Sequence, residues 1–132
     1  GQVLAGKPVT VSLYDVSDTL VASVSANMDG TFSLTAPAGT YTVVATADGY
    51  LSAAGSVTMT SGGDSTMPIV TLIAGDIDGN DVIDEFDALT IGMNYNGTAP
   101  VAADLNNDGV INVLDLEILA ANYRAAGPTL WK

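Results

Sequence analysis

The pattern of apolar and polar positions changes period near residue 73. Before it, the two kinds alternate in short runs: Val9-Thr-Val-Ser-Leu13, Leu20-Val-Ala-Ser-Val24, Thr31-Phe-Ser-Leu34, Thr40-Tyr-Thr-Val-Val-Ala45, Ser56-Val-Thr-Met-Thr60 and Met67-Pro-Ile-Val-Thr-Leu-Ile73. A period of two sends successive side chains to opposite faces of a sheet, so each run predicts a half-buried strand. β-Branched residues and tyrosine fill the runs, which suits a pleated surface. Asn27-Met-Asp-Gly30, Pro37-Ala-Gly39 and Asp48-Gly49 supply the turns between them. Pro68 cannot donate to a ladder and is expected at a strand start or edge. Short strands in this rhythm predict an antiparallel, all-β sandwich over residues 1–73.

After residue 73 the spacing becomes helical. Ala88, Ile91 and Tyr95 fall at i, i+3 and i+7, and so do Leu116, Leu119 and Tyr123. Two helices are predicted, Asp87–Tyr95 and Asp115–Arg124, stopped by Asn96-Gly97 and Gly127-Pro128. Each carries a second stripe: Phe86, Leu89, Thr90 and Met93 in the first, and Leu114, Glu117, Ile118 and Ala121 in the second. A helix that is apolar on two faces must bury both or offer one to a partner. Residues 98–103 connect the two units through a short helical turn.

Each helix is entered from a 12-residue acidic loop. The loops run Asp76-Ile-Asp-Gly-Asn-Asp-Val-Ile-Asp-Glu-Phe-Asp87 and Asp104-Leu-Asn-Asn-Asp-Gly-Val-Ile-Asn-Val-Leu-Asp115, and their starts lie 104 − 76 = 28 residues apart. Both place an oxygen-bearing side chain at positions 1, 3, 5, 9 and 12, and isoleucine (Ile83, Ile111) at position 8. A hard cation takes six to eight oxygens, and a loop of this length supplies them at this alternating spacing. The tandem pair therefore predicts two calcium ions. The sharp-turn position 6 holds Gly109 in the second loop but Asp81 in the first. Aspartate tolerates left-handed geometry less well than glycine does.

Charge agrees with that reading. The net charge is −12, divided as −4 over residues 1–73 and −8 over 74–132. Such a chain repels nucleic acid and anionic membrane, and it contains no apolar run long enough to insert in a bilayer. With no Cys and no His, thiol or imidazole catalysis, zinc sites of those ligands and disulfides are excluded. The clustered carboxylates fall in the loops and the strand region offers no acid pair, so an enzyme is not expected. The loops also lack the paired entering helices of a calcium-sensing switch. Calcium at the concentration found outside cells would fill loops of modest affinity, so an extracellular or cell-surface setting is expected. The chain reads as a piece of a longer secreted protein.

Gly6-Lys-Pro-Val-Thr-Val-Ser-Leu13, Asp29-Gly-Thr-Phe-Ser-Leu34, Pro37-Ala-Gly-Thr-Tyr-Thr-Val43 and Gly49-Tyr50 resemble the carboxypeptidase regulatory-like domain. The resemblance implies a non-catalytic β-sandwich of the transthyretin or immunoglobulin kind. Residues 74–126, two calcium loops ending in Asp87 and Asp115 with one helix after each, resemble the dockerin module of cellulosomal proteins. Together they resemble an X-module–dockerin pair, divided at 1–73 and 74–132. The dockerin resemblance implies a docking module that binds a cohesin and attaches its parent to a scaffold or the cell surface. The competing reading is a calcium-stabilised spacer of an adhesin. The loop roles would be Asp76, Asp78 and Asn80 as side-chain ligands, the Val82 carbonyl, Asp84 directly or through water, and Asp87 bidentate. Asp104, Asn106, Asp108, the Val110 carbonyl, Asn112 and Asp115 take the same roles in the second loop.

The dockerin resemblance implies that loop positions 10 and 11 help choose the cohesin; here they are Glu85-Phe86 and Val113-Leu114. Their apolar character is nearer the second, anchoring type of dockerin. The expected partner face is Phe86, Leu89, Thr90 and Met93 with Val113, Leu114, Ile118 and Ala121, the first helix dominating. Only Ala74-Gly75 separates the last predicted strand from Asp76, so the modules should pack rigidly through an apolar interface. The sequence leaves open whether the tail that carries the only tryptophan, Trp131, clasps either module or frays.

Overall fold

The computed structural model describes residues 1–61 and 67–131. Its first part contains strands β1 (Val3–Leu4), β2 (Thr10–Tyr14), β3 (Leu20–Ser25), β4 (Gly39–Thr46), β5 (Gly49–Tyr50), β6 (Ala53–Met59) and β7 (Val70–Thr71). Then follow β8 (Ala74–Asp76), helix α1 (Glu85–Met93), a 3-10 turn at Val101–Ala103, helix α2 (Val113–Ala121) and β9 (Thr129–Leu130).

The main sheet has the order β3-β2-β4-β6-β9. Its period-two pattern sorts the faces as the sequence predicts. Val11 and Leu13 of β2, Tyr41, Val43 and Ala45 of β4, and Ala53 and Val57 of β6 are buried together. Thr40, Thr42, Ser56 and Thr58 point to solvent on the other face. The Asn27–Gly30 turn forms, closed by Gly30 N–H donating to the Asn27 carbonyl at 2.8 Å.

The expected sandwich is thinner than its strands suggested. The second layer is a two-stranded parallel ribbon of β1 and β7, pairing Val3 with Val70 and Leu4 with Thr71, completed by extended chain. Thr31–Leu34 does not become a strand; only Thr31 bridges, to Gln2. Phe32 and Leu34 still pack on the core, so the alternation was used for burial without a ladder. Of the Met67–Ile73 run only Val70 and Thr71 pair as a strand, because the partner β1 is itself two residues long. Pro68 precedes that strand.

The tail question is settled by β9, which adds to the main sheet parallel to β6, Ala53 opposite Thr129 and Ala54 opposite Leu130. Trp131 follows with 2% of its surface exposed. Its indole Nε1 donates to the Pro68 carbonyl at 2.7 Å, and its ring meets Phe32 edge-on at 5.7 Å between centroids and 70°. Lys132 lies outside the described residues.

A second core gathers Ile83, Ile91, Ala103, Leu105, Ile111 and Leu119 with Leu51 and Ala74 from the joint. The joint itself is a ladder, β5 antiparallel to β8. Gly49, at φ 81°, lies so close to the Ala102 carbonyl that any Cβ would collide with it. The interface is more polar than expected. Tyr50 Oη donates to the Leu105 carbonyl at 3.4 Å and accepts from Gly6 N–H at 3.0 Å. Lys7 Nζ donates to the Val101 carbonyl at 2.7 Å.

Candidate metal centre and docking face

The two acidic loops fold alike. Position 1 of each is buried and collects backbone N–H groups across the turn. Asp76 Oδ1 accepts from Gly79 N–H at 3.1 Å and Asn80 N–H at 3.2 Å, and Oδ2 from Asp81 N–H at 2.8 Å. Asp104 accepts from Asp108 and Gly109 N–H groups at 3.2 and 2.8 Å. Two left-handed residues make each turn possible. They are Gly79 (φ 77°) and Asp81 (φ 61°) in the first loop, Asn107 (φ 57°) and Gly109 (φ 89°) in the second. Each loop thus places one glycine and one short polar residue at positions 4 and 6, the types that tolerate this conformation.

Position 12 closes the loop and starts the helix. Asp87 accepts from Ile77, Asp78 and Asp84 N–H groups at 2.8, 3.1 and 2.9 Å. Asp115 accepts from Leu105, Asn106 and Asn112 N–H groups at 2.8, 3.2 and 2.8 Å. Both are fully buried. Position 9 is the N-cap, and positions 9 and 12 form a reciprocal capping box, Asp84 with Asp87 and Asn112 with Asp115. The helices therefore begin two residues before the predicted Asp87 and Asp115.

Position 8 joins the two units. Ile83 N–H donates to the Ala125 carbonyl at 2.9 Å and its carbonyl accepts from Arg124 N–H at 2.7 Å. Ile111 N–H donates to the Gly97 carbonyl at 2.9 Å and its carbonyl accepts from Asn96 N–H at 2.7 Å. Each loop is thus stitched to the segment that leaves the other loop's helix.

Carboxylate oxygens of Asp76, Asp78 and Asp87 lie within 4.8 Å of one another, and so do those of Asp104, Asp108 and Asp115. Burial pushes the Asp76 carboxyl up to about 6 and raises that of Asp87, though backbone N–H groups pull both the other way. Asp108, exposed and bonded to Val110 N–H, sits below the usual carboxylate range. Buried like charges cost free energy unless a cation offsets them. The described basic side chains serve elsewhere: Lys7 on the Val101 carbonyl, its own pKa lowered by burial, and Arg124 over the Tyr123 ring. Lys7 also feels the charges of Asp104 and Asp115 in the second loop. Converging, all-oxygen donors of net negative charge fit a hard dication.

Of the remaining predicted ligands, Asn80 Oδ1 accepts from Val82 N–H at 3.0 Å. Asn106 Nδ2 donates to Asp108 Oδ2 at 3.1 Å. Asp84 and Asn112 cap their helices through Oδ1, accepting from Phe86 N–H at 3.1 Å and Leu114 N–H at 3.0 Å. Val82 and Val110 could contribute only their carbonyls.

Beside the loops, the helices expose apolar surface. Phe86 (59%), Leu89 (56%) and Met93 (75%) are open on α1, and Val113 (48%) and Leu114 (47%) on α2. Ala121 is exposed as well. Two expected members do not belong fully to this face. Ile118 packs on the second core. Thr90 is half-buried and its hydroxyl donates back to the Phe86 carbonyl at 3.0 Å. Tyr95, Leu116 and Tyr123, placed by the periodicity in the module's core, are instead exposed. Helices this short bury one residue each from that stripe, Ile91 and Leu119.

The carboxypeptidase regulatory-like domain model matches residues 1–72 and the dockerin type I domain model matches residues 74–122. A comparison with curated proteins found no match. Among solved structures the chain is similar to one from an N-terminal interface mutant of a type II cohesin–X-dockerin complex from Acetivibrio cellulolyticus. The identity is 21%, coverage 96% of this chain and 94% of that chain, and the TM-score 0.62. A C-terminal interface mutant of the same kind of complex from that organism is similar at 23% identity, 89% and 83% coverage and TM-score 0.62. The chain belongs to the carboxypeptidase regulatory-like domain family through residues 1–72, its residues 74–122 match a dockerin type I domain, and the two in this order have the fold of the X-dockerin chains to which it is similar.

Proposed function

We propose that this protein is a calcium-dependent docking module that binds a cohesin and attaches its parent protein to a cellulosome-type scaffold or to the cell surface, outside the cell. The observation that carries the reading is the apolar face of α1, where Phe86, Leu89 and Met93 stand open next to a carboxylate loop. An apolar patch rimmed by polar residues marks a protein interface, and Met93 gives it an adaptable contact. The α2 surface at Val113, Leu114 and Ala121 extends the same role with less exposed area. The similar solved chains come from cohesin complexes, which favours a cohesin as the partner.

Two calcium ions, one per loop, would be held by Asp76, Asp78, Asn80, the Val82 carbonyl, Asp84 and Asp87, and by Asp104, Asn106, Asp108, the Val110 carbonyl, Asn112 and Asp115. Calcium supplies charge neutralisation there. The chain's residues supply the rest. Asp87 and Asp115 tie loop to helix, Ile83 and Ile111 tie unit to unit, and the outer faces of the helices are presented as a result. The ion acts as a structural clamp and not as a message.

Mixing the protein with type I and type II cohesins on a sizing column, with and without EDTA, tests the reading. A co-eluting complex that dissociates in EDTA is expected. No complex with any cohesin in the presence of calcium would favour the adhesin-spacer reading.

A further inference from the structure

Asp81 occupies the position where the other loop has glycine, and its side chain has a use that calcium coordination does not explain. Its carboxylate leaves the loop and crosses to the first module. Ser52, between β5 and β6, donates its N–H to Asp81 Oδ1 at 2.9 Å and brings its hydroxyl within 2.9 Å of Oδ1 and 2.8 Å of Oδ2. The Asp81 N–H faces the other way, onto Asp76 Oδ2 at 2.8 Å. Its carbonyl accepts from Gly127 N–H at 2.7 Å. The Ser52 carbonyl in turn accepts from Thr129 N–H at 2.8 Å, at the start of β9. One residue thus touches a predicted calcium ligand, the first module and the returning tail.

Position 6 of the second loop has no counterpart to this contact. A Cβ added at Gly109 would meet nothing within 4 Å, so position 6 there faces open space. Glycine would take the left-handed turn of the first loop without strain. The cost of an aspartate at φ 61° is offset by charge-assisted hydrogen bonds to Ser52.

We propose that Asp81 is a positioning residue that latches the first calcium loop to the β-module, so that filling this loop with calcium stabilises the first module as well as the second. The proposal rests on the calcium reading given above. Calcium would order Asp76; Asp76 holds the Asp81 N–H; the Asp81 carboxylate holds Ser52 and, through Ser52, the strand that carries Trp131.

Trp131 is the only tryptophan and lies in the core of the first module, so its fluorescence reports that module's unfolding. Calcium should raise the Trp131 unfolding midpoint of the wild type by about 10 °C or more, as ligand linkage to a folded state requires. Asp81→Gly, which suits the turn, should still bind calcium by calorimetry but keep less than about half of that shift. Asp81→Asn should restore most of it, since Oδ1 can still accept from the Ser52 N–H. Ser52→Ala, which leaves the loop sequence intact, should lose a smaller share. The latch is overturned if Asp81→Gly keeps the full shift, or if the wild type binds calcium with no change at Trp131. It is equally overturned if Asp81→Gly abolishes calcium binding while Ser52→Ala keeps the full shift. A wild type that binds no calcium would instead overturn the calcium reading itself.

Discussion

At the scale of single residues, the loops also depend on positions outside the proposed ligand set. Ile83 and Ile111 have no exposed surface and pair the two loop–helix units through their backbones. Truncating either side chain empties a site walled by both helices, so Ile111→Ala should cost about 2–5 kcal/mol in urea unfolding of the calcium-loaded protein. Asp76 brings a pH dependence. Its folded-state pKa of about 6 lies above the ordinary carboxylate value, so the metal-free fold holds a proton that the unfolded chain releases. The metal-free fold is therefore destabilised as pH rises through about 6, and a calcium ion bound as proposed would have to displace that proton below it. Calcium titrations at about pH 7 and about pH 5 should show weaker binding in acid, by up to about tenfold per proton displaced and pH unit. The twin acidic loops were legible in the sequence because their spacing is local. The Ser52–Asp81 contact was not, because it joins residues 29 apart with no periodicity between them.

At the scale of elements, capping decides where the helices start and which faces they show. The boxes pull Asp87 and Asp115 into the first turn, which leaves Phe86 and Leu114 on the outside at position 11. The double change Phe86→Ala plus Met93→Ala should weaken cohesin binding by about 2–4 kcal/mol in calorimetry, the range of hot-spot residues, while calcium binding persists. Val113→Ala plus Leu114→Ala should cost less if α1 dominates. Long alternating runs such as Thr40–Ala45 identified their strands correctly. The two-residue strands β5 and β9 were illegible as strands, since two residues carry no period and their pairing depends on distant chain, and β7 was legible only as part of the longer Met67–Ile73 run. Thr31–Leu34 erred the other way. Its alternation is real, but Phe32 serves the Trp131 contact without a neighbouring ladder.

At the scale of the whole molecule, the two modules share strands as well as surface. Chelation with EDTA should lower both the helical signal in far-UV circular dichroism and the melting temperature, because so small a helical module has little core of its own. Trp131→Ala should cost about 3–5 kcal/mol, the range for a buried aromatic, although the residue comes at the end of the second module's segment. Nothing in Pro128-Thr-Leu-Trp131 announces that destination, since a tail's docking site is set by the tertiary fold. The pairing of β9 with β6 has a further consequence, for the order of events in folding. Ala53 must wait for Thr129, 129 − 53 = 76 residues later, before the edge of its sheet is covered. On a ribosome the first module would emerge whole in sequence and incomplete in structure, its core lacking Trp131 until the helices have followed. Contacts of such separation are slow to close, so the β-module should reach full protection from hydrogen exchange only after the helical module has formed.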